Sequence, residues 1–564
     1  MPGNPTPPTS APSPATASFL QRALRVFRPS HRHTAFTATL LLMFSAFLSR
    51  IIGLVRVKYI AYLFGAGPQT DAFNSAFQLP DMLAYFLVGG AASVTFVTML
   101  SRYREQGLEA EGTRAMSVIL TSMLLVLGGA ILLTELFAPL YVRWWFQGFT
   151  AEQAALCTSM TRILLPGQLL FFAGGVFGSV LLVRKQFALQ AVTPLVYNLG
   201  IIFGGVFLAH AVGIRSLAWG ALGGVFVGPF LMNAIGAHRA GAVYRPALDW
   251  RNEGLREWVR LSLPLMLGVS LVSFDGWIMN YFASGDHGAI TLLTYAKNLF
   301  TAPVALGQAA GAASLPFLAA LAGRSQNASI VGEGTGETSG SNQADDLETS
   351  AFSRAVNSSV SRILAFSLLL TGWMIGLAFP AVDLIFRGGL FHRDSAQQMA
   401  VYFAVFSLSL CFWSAQTLYA RAFYAAGNTL APMVAGTIVV VVSLPIYWTL
   451  YRTHGATGLA IASDIGIVIQ TVTLAVMLDR RKMVSLSGLE YRELVRSGVA
   501  AAAGLGAISL LRQVLPASGR WKDATLLLAA TILWAAVATA VLKVTGSNLP
   551  NQLVGRFQRK PSPD

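Results

Sequence analysis

Residues 48–73 read LSRIIGLVRVKYIAYLFGAGPQTDAF. The stretch is apolar enough to lie in a bilayer, yet it carries Arg50, Arg56 and Lys58 and, past a Gly-rich turn, Asp71. A charge within a membrane helix is costly and normally faces a cavity or a partner rather than lipid. The stretch therefore predicts a span that belongs to a bundle with a polar interior. The rest of the chain agrees. Of its 564 residues, 54% are hydrophobic and only 12% charged, whereas a soluble chain is about a quarter charged. Apolar runs of about 20 residues, each able to cross a hydrocarbon core of roughly 30 Å, recur from Thr34 to Val544. They number about fourteen. The fold class is all-α polytopic membrane protein; a membrane β-barrel would show short alternating segments instead.

The formal net charge is +15. On a soluble protein that would suggest nucleic acid as partner. Here the basic residues gather in alternate loops, as the positive-inside rule requires, and no nucleic acid is expected. Arg22, Arg25, Arg28 and Arg32 precede the first span; Arg102, Arg104 and Arg114 follow the second; Arg184 and Lys185 follow the fourth. The pattern continues at Arg239, Arg245, Arg251 and Arg256, at Arg480, Arg481 and Lys482, and at Arg556, Arg559 and Lys560. Both termini are then cytoplasmic. Arg387 and Arg393 fall on the opposite side and run against the rule. Cys157 and Cys411 lie in or beside spans without metal-type neighbours and read as packing residues.

Residues 1–34 read as a disordered basic tail, without the apolar core and cleavage site of a signal peptide. A polar stretch at 323–351 reads as a flexible linker. The chain also repeats itself. GAAS at 90–93 recurs at 311–314. FALQAVTPLV at 187–196 resembles YAAGNTLAPMV at 424–434. GIRSLAWG at 213–220 resembles GATGLAIA at 455–462. The three matches keep their order and imply two six-helix lobes, at 35–245 and 246–485, the second containing the linker. The remaining pair of spans lies in 486–547, followed by a tail at 548–564. Repeated lobes with a site between them are the usual build of secondary transporters.

No Walker lysine loop, HExxH or nucleophile elbow is present. No enzymatic activity and no metal or other cofactor is expected. The informative residues are the intramembrane charges: Arg50 and Arg56 in the first span, Asp71 opening the second, Asp275 in the seventh, Lys297 beside Asn298 in the eighth, and Asp464 in the twelfth. Six residues separate Arg50 from Arg56, which is about 120° around an ideal helix. A bend near Gly53 would bring the two together. Several cations around a cavity suit an anionic group, and Arg offers phosphate a planar fork. Asp71 is expected to pair with one of these arginines. Asp275 and Asp464 are candidates for Na⁺ or H⁺ coupling, with membrane potential as the alternative drive, while an Asp275–Lys297 bridge would make Asp275 structural.

The blocks LSRIIGLVR, FGAGPQTDAF and AFQLPDML, with LIFRGGLF at 384–391, ARAFYAAGNTLAP at 420–432 and HGATGLAIA at 454–462, resemble the MurJ (MviN) lipid II flippase family of the multidrug/oligosaccharidyl-lipid/polysaccharide exporter superfamily. The resemblance covers roughly residues 35–544. It implies a flippase of the bacterial cytoplasmic (inner) membrane that moves an undecaprenyl-pyrophosphate-linked glycan, lipid II, by alternating access through a cationic cavity. Membrane lipids and cell-wall synthesis proteins are the implied partners, and cell-wall biogenesis and cell shape the implied processes. The last two spans would hold the lipid tail. Arg50, Arg56 and Asp71 stand where the family has Arg, Arg and Asp, and Lys297 and Asn298 stand where it has an Asp–Arg pair. The chain departs from the family at Ala84 and Tyr85, in place of a basic pair, and at Gly89, in place of an acid.

Other readings stay open on residues alone. They are a flippase for another polyprenyl-linked glycan, a drug or cation antiporter of the same superfamily, a membrane-bound glycosyl or phosphoryl transferase, and a wall-synthesis scaffold. A transferase needs a carboxylate cluster in a loop; a scaffold does not need charges buried in spans.

Overall fold

The helix Ala35–Phe64 runs unbroken through Gly53, so no bend brings Arg50 and Arg56 together. The computed structural model describes residues 35–87, 91–267, 271–304, 341–426, 428, 430–515, 519–547 and 549. The two tails, Gly89, the second GAAS copy and linker residues 323–340 lie outside the described residues. The linker's end differs from expectation. The helix that carries span 9 begins at Ser341, so residues 341–351 are helical. Ala, Leu and Glu in this stretch are helix formers and need no apolar face to extend a helix already nucleated by the span.

Among the described residues, eight helices are each long and apolar enough to cross a membrane. Leu430–Arg480 contains two passes, because Gly455 interrupts it with a non-helical conformation. Two further passes are broken or bent. Span 2 breaks at Phe77, between Pro68–Ala76 and Gln78–Leu87, and includes Ala91–Glu105; span 10 is bent by 45° between Arg393–Leu408 and Leu410–Ala425; span 7 is described over Glu253–Leu267 and Leu271–Ala283. Span 1 is the helix Ala35–Phe64, and a helix at 289–304 enters span 8, so among the described residues a helix stands at each of the fourteen expected spans.

The repeat is physical. Gly213 ends span 5 at φ 59°, ψ −141°, and Gly455 ends span 11 at φ 56°, ψ −142°. Both occupy a left-handed region that a side chain would strain. They sit at the same place in the GIRSLAWG and GATGLAIA matches, so the same turn is built twice.

Spans 1 to 6 pack mainly on one another, as do the later part of span 7 and spans 9 to 12. Span 7 is shared, which shifts the lobe boundary drawn at residue 246. Its first helix, Glu253–Leu267, packs on spans 2 and 3, with Leu255 and Trp258 in the core of the first lobe. Leu255, Trp258 and the buried Ser262 recur at helical spacing, so one face is matched to that lobe. Its second helix, Leu271–Ala283, packs on Leu430–Arg480 of the second lobe. At the basic end, outside the apolar band, Arg102 donates two bonds to Glu257, at 2.7 and 2.5 Å, and ties the start of span 7 to span 2.

Spans 13 and 14 form a hairpin against span 9 and the short helix Ala378–Phe386. Gly372 of span 9 admits a close approach: a Cβ there would stand 2.6 Å from the Ala501 carbonyl oxygen. Trp373 Nε1 donates to Thr531 Oγ1 at 3.0 Å across the same interface. Both cysteines are buried and free, as packing residues should be.

Candidate functional site

The two lobes meet at the end of the bundle opposite the basic loops. Gly148, at the turn after span 3, lies against the turn between spans 7 and 8; a Cβ there would fall 2.4 Å from Gly285 Cα. Gln78 Oε1 accepts from Asn280 Nδ2 at 3.1 Å, and Asn74 Nδ2 donates to Thr291 Oγ1 at 3.2 Å. Leu390 N donates to the Tyr62 carbonyl at 3.0 Å. Together these contacts make a seam between the lobes.

Asp71 is the centre of that seam, and it does not use an arginine. It is 1% exposed. Its oxygens accept from Gly288 N at 2.5 Å, Thr291 N at 2.8 Å and Thr291 Oγ1 at 2.7 Å. Gly288 and Thr291 open the helix at 289–304. A carboxylate from the first lobe thus caps a helix of the second, where free N–H groups and the helix dipole both favour an anion. The expected Asp71–Arg pair is replaced because these donors satisfy the carboxylate without bringing a second charge out of water.

Deeper in the bundle, span 1 faces span 8. Arg50 is exposed, and its Nη1 donates to the Thr301 carbonyl at 3.3 Å. Arg56 lies within electrostatic reach of Tyr197 and Tyr295. Spans 1 and 8 run antiparallel, so the step from Arg50 to Arg56 matches the reverse step from Thr301 to Tyr295. Both arginines therefore address the gap between spans 1 and 8 without a bend at Gly53, reached by long side chains from different faces. Asn298 sits between these levels and is part-exposed.

Asp81 also belongs here. It is exposed, and Tyr197 lies within electrostatic reach of both Asp81 and Arg56. Its signal in the sequence is an acid in the middle of a broken apolar span, within the LPD block. One turn further along Gln78–Leu87, Tyr85 joins Phe86, Phe274 and Trp277 in a cluster with ring centroids 4.5–6.4 Å apart. Tyr85 stands at one of the two positions where the resembled family has a basic pair.

Lys297 is in a different place from the arginines. Its ammonium is bonded to Asp275, which also accepts from the Tyr447 hydroxyl and, at 3.0 Å, from Ser463 Oγ. Trp413 lies under the ammonium, 5.9 Å from its ring centroid. Lys297 is therefore held inside the second lobe and does not stand beside Arg50 and Arg56. Asp464 is adjacent. Its Oδ1 accepts from Ser409 Oγ at 2.5 Å, and its Oδ2 is buried without a donor among the described residues. Ser409 occupies the bend between the two helices of span 10, so the bend places the hydroxyl. Tyr447, Ser463 and Ser409 carried no distinguishing mark in sequence among many similar residues.

Known proteins bear on this arrangement. The family model described as "Lipid II flippase MurJ" matches residues 60–529. A "Probable lipid II flippase MurJ" of Thermotoga maritima is 25% identical over 452 residues, covering 78% of this chain and 86% of that protein. A "Lipid II flippase MurJ" of Burkholderia cenocepacia is 26% identical over 449 residues, covering 77% and 82%. Among solved structures, "Lipid II flippase MurJ, inward closed conformation" superposes with a TM-score of 0.71 at 19% identity, covering 89% of this chain and 99% of that one. An inward-facing multidrug transporter of the MATE family gives a TM-score of 0.58 at 14% identity. These likenesses carry the fold.

Proposed function

Because the chain belongs to the lipid II flippase MurJ family, we propose that it is an alternating-access flippase which carries lipid II across the bacterial inner membrane. The family is one of transporters, not of enzymes. The observation that carries the reading is the pairing of an exposed Arg50 and an enclosed Arg56 in the inter-lobe gap with a seam closed at the opposite end by Asp71. With the basic loops on the cytoplasmic side, the sealed end is the outer one. The arginines then meet the pyrophosphate from the cytoplasmic side, and the headgroup crosses when the seam opens. Only ligand binding that favours the open arrangement over the closed one can drive that change. The hairpin of spans 13 and 14 presents Val495, Val499, Leu510, Val514, Leu528 and Ile532 outward, an apolar surface suited to a polyprenyl tail.

The aromatic cluster around Tyr85 favours a second reading within the same class, a polyprenyl-linked glycan other than lipid II, since aromatic faces stack on sugar rings and do not hold anions. Complementation separates the two. The chain expressed in a bacterium depleted of its own lipid II flippase is expected to restore growth; a well-inserted protein that leaves the cells to lyse would point to the other glycan.

Energy coupling belongs to the second lobe. Lys297 already neutralises Asp275, which leaves Asp464, with one oxygen lacking a donor, as the group to take a proton or Na⁺. In proteoliposomes with imposed Na⁺, proton or voltage gradients, Asp464→Asn is expected to lose gradient-dependent transport. If Asp464→Asn and Asp275→Asn both keep the wild-type response, the drive is membrane potential acting on the cationic gap.

A further inference from the structure

Two acids outside the inter-lobe gap meet where the terminal hairpin joins the second lobe. Asp383 lies on Ala378–Phe386, and Asp523 lies in the first turn of Arg520–Val544. Each is 1% exposed. Their helices pack on each other, and the two carboxyl groups lie within electrostatic reach of one another. Asp383 Oδ2 pairs with Arg387 Nη1 at 3.1 Å, but Asp383 Oδ1 and Asp523 Oδ1 are buried with no donor among the described residues.

Two ionised carboxylates offer each other only acceptors and repel. Contact between them is favourable when one carries a proton and donates it to the other. We propose that Asp383 and Asp523 share one proton, and that this proton latches the hairpin of spans 13 and 14 to the helix leading into the outer seam.

The connection to the seam is short. Arg387 ends Ala378–Phe386, and the next residues form the bridge between Gly388 and Phe391. Within that bridge Leu390 N donates to Tyr62 of the first lobe, and a Cβ on Gly389 would strike the Tyr62 carbonyl. A shift of this short helix is therefore felt directly at the inter-lobe contact. The charged groups facing the pair are Arg387 on the same helix and Arg393 at the start of span 10, which sits 5.8 Å from the Phe379 ring centroid. On span 13, Arg512 Nη1 donates to the Gly376 carbonyl at 3.2 Å, and Lys522 beside Asp523 is exposed. With the proton in place, Asp383 and Arg387 balance each other. Its loss sets two negative charges face to face in a buried contact, so the latch loosens as the pH of the outer compartment rises.

The latch is read from the distance between spin labels at His392→Cys and Leu528→Cys, two exposed sites, in full-length protein in nanodiscs; the native cysteines are buried. The expected result is one narrow distance distribution at about pH 5 and a broader, longer one at about pH 9, a range that spans carboxyl titration even when it is strongly displaced. Asp523→Asn is expected to stay narrow at both, because its amide N–H replaces the proton. Asp383→Asn serves the same purpose if the first variant does not fold, and the wild-type pH series decides alone if neither does. A wild-type distance unchanged between the two pH values overturns the proposal. So does an Asn variant that keeps the wild-type pH response, or a wild-type distance set by added Na⁺ or Ca²⁺ at fixed pH.

Discussion

Arg56→Ala is expected to cut lipid-linked substrate flipping steeply while membrane abundance stays near normal, and Arg50→Ala to do the same. Each guanidinium points into the inter-lobe gap and is free to give charge-assisted bonds to a pyrophosphate once the substrate displaces weaker contacts, such as the 3.3 Å bond from Arg50 to Thr301. Bonds to charged groups are worth about 1.5–3 kcal/mol, so each loss corresponds to about a ten- to hundredfold fall. The double variant falls further. Arg56→Lys is expected to recover only part of the rate, since an ammonium keeps the charge and loses the planar fork. Flux per inserted molecule, measured beside quantified membrane protein, checks all four variants. Full flux in Arg50→Ala would remove Arg50 from the site.

Asp71→Asn is expected to act on the seam and not on substrate contact. The carboxylate accepts three bonds from Gly288 and Thr291. An amide in its place can accept through one atom only and sets an N–H against one of these donors. A buried donor left unsatisfied costs about 1–3 kcal/mol, which shifts a two-state balance toward the open seam by about five- to a hundredfold. The readout is disulfide formation between Gln78→Cys and Asn280→Cys, whose parent side chains bond across the seam at 3.1 Å. With Asp71 intact the crosslink forms readily. With Asn it slows, and transport falls with it. An unchanged crosslinking rate together with lost transport would place Asp71 at the substrate instead.

What could be read from sequence was whatever lies in composition and local pattern. The fourteen passes follow from apolar run lengths, and the matched turns at Gly213 and Gly455 from a repeat visible to the eye. The Asp275–Lys297 bridge was legible as the structural alternative, because two opposite buried charges on adjacent spans have few other solutions. Arg387 and Arg393 ran against the positive-inside rule, and the structure supplies the reason: Arg387 pairs with Asp383, and Arg393 lies by the Phe379 ring.

What stayed hidden depends on backbone partners and on meetings across distance in sequence. The donors to Asp71 are two backbone N–H groups and one hydroxyl at a helix start more than two hundred residues away. No residue type announces a free helix end. The division of span 7 between the lobes depends on which neighbour receives Leu255 and Trp258, and an amphipathic stripe does not name its partner. Asp383 and Asp523 each look like an ordinary acid near a span end until the hairpin folds back and brings them together.

The central claim is that this chain moves a pyrophosphate-linked glycolipid through an arginine-lined gap between its lobes. The measurement is translocation of fluorescent lipid II in proteoliposomes containing only the purified protein, followed by quenching of the outward-facing headgroup with a membrane-impermeant reductant. The account predicts that the protected fraction becomes accessible with wild-type protein and stays protected with the Arg50→Ala/Arg56→Ala variant. Accessibility equal for the two, or no higher than in protein-free vesicles, would contradict it.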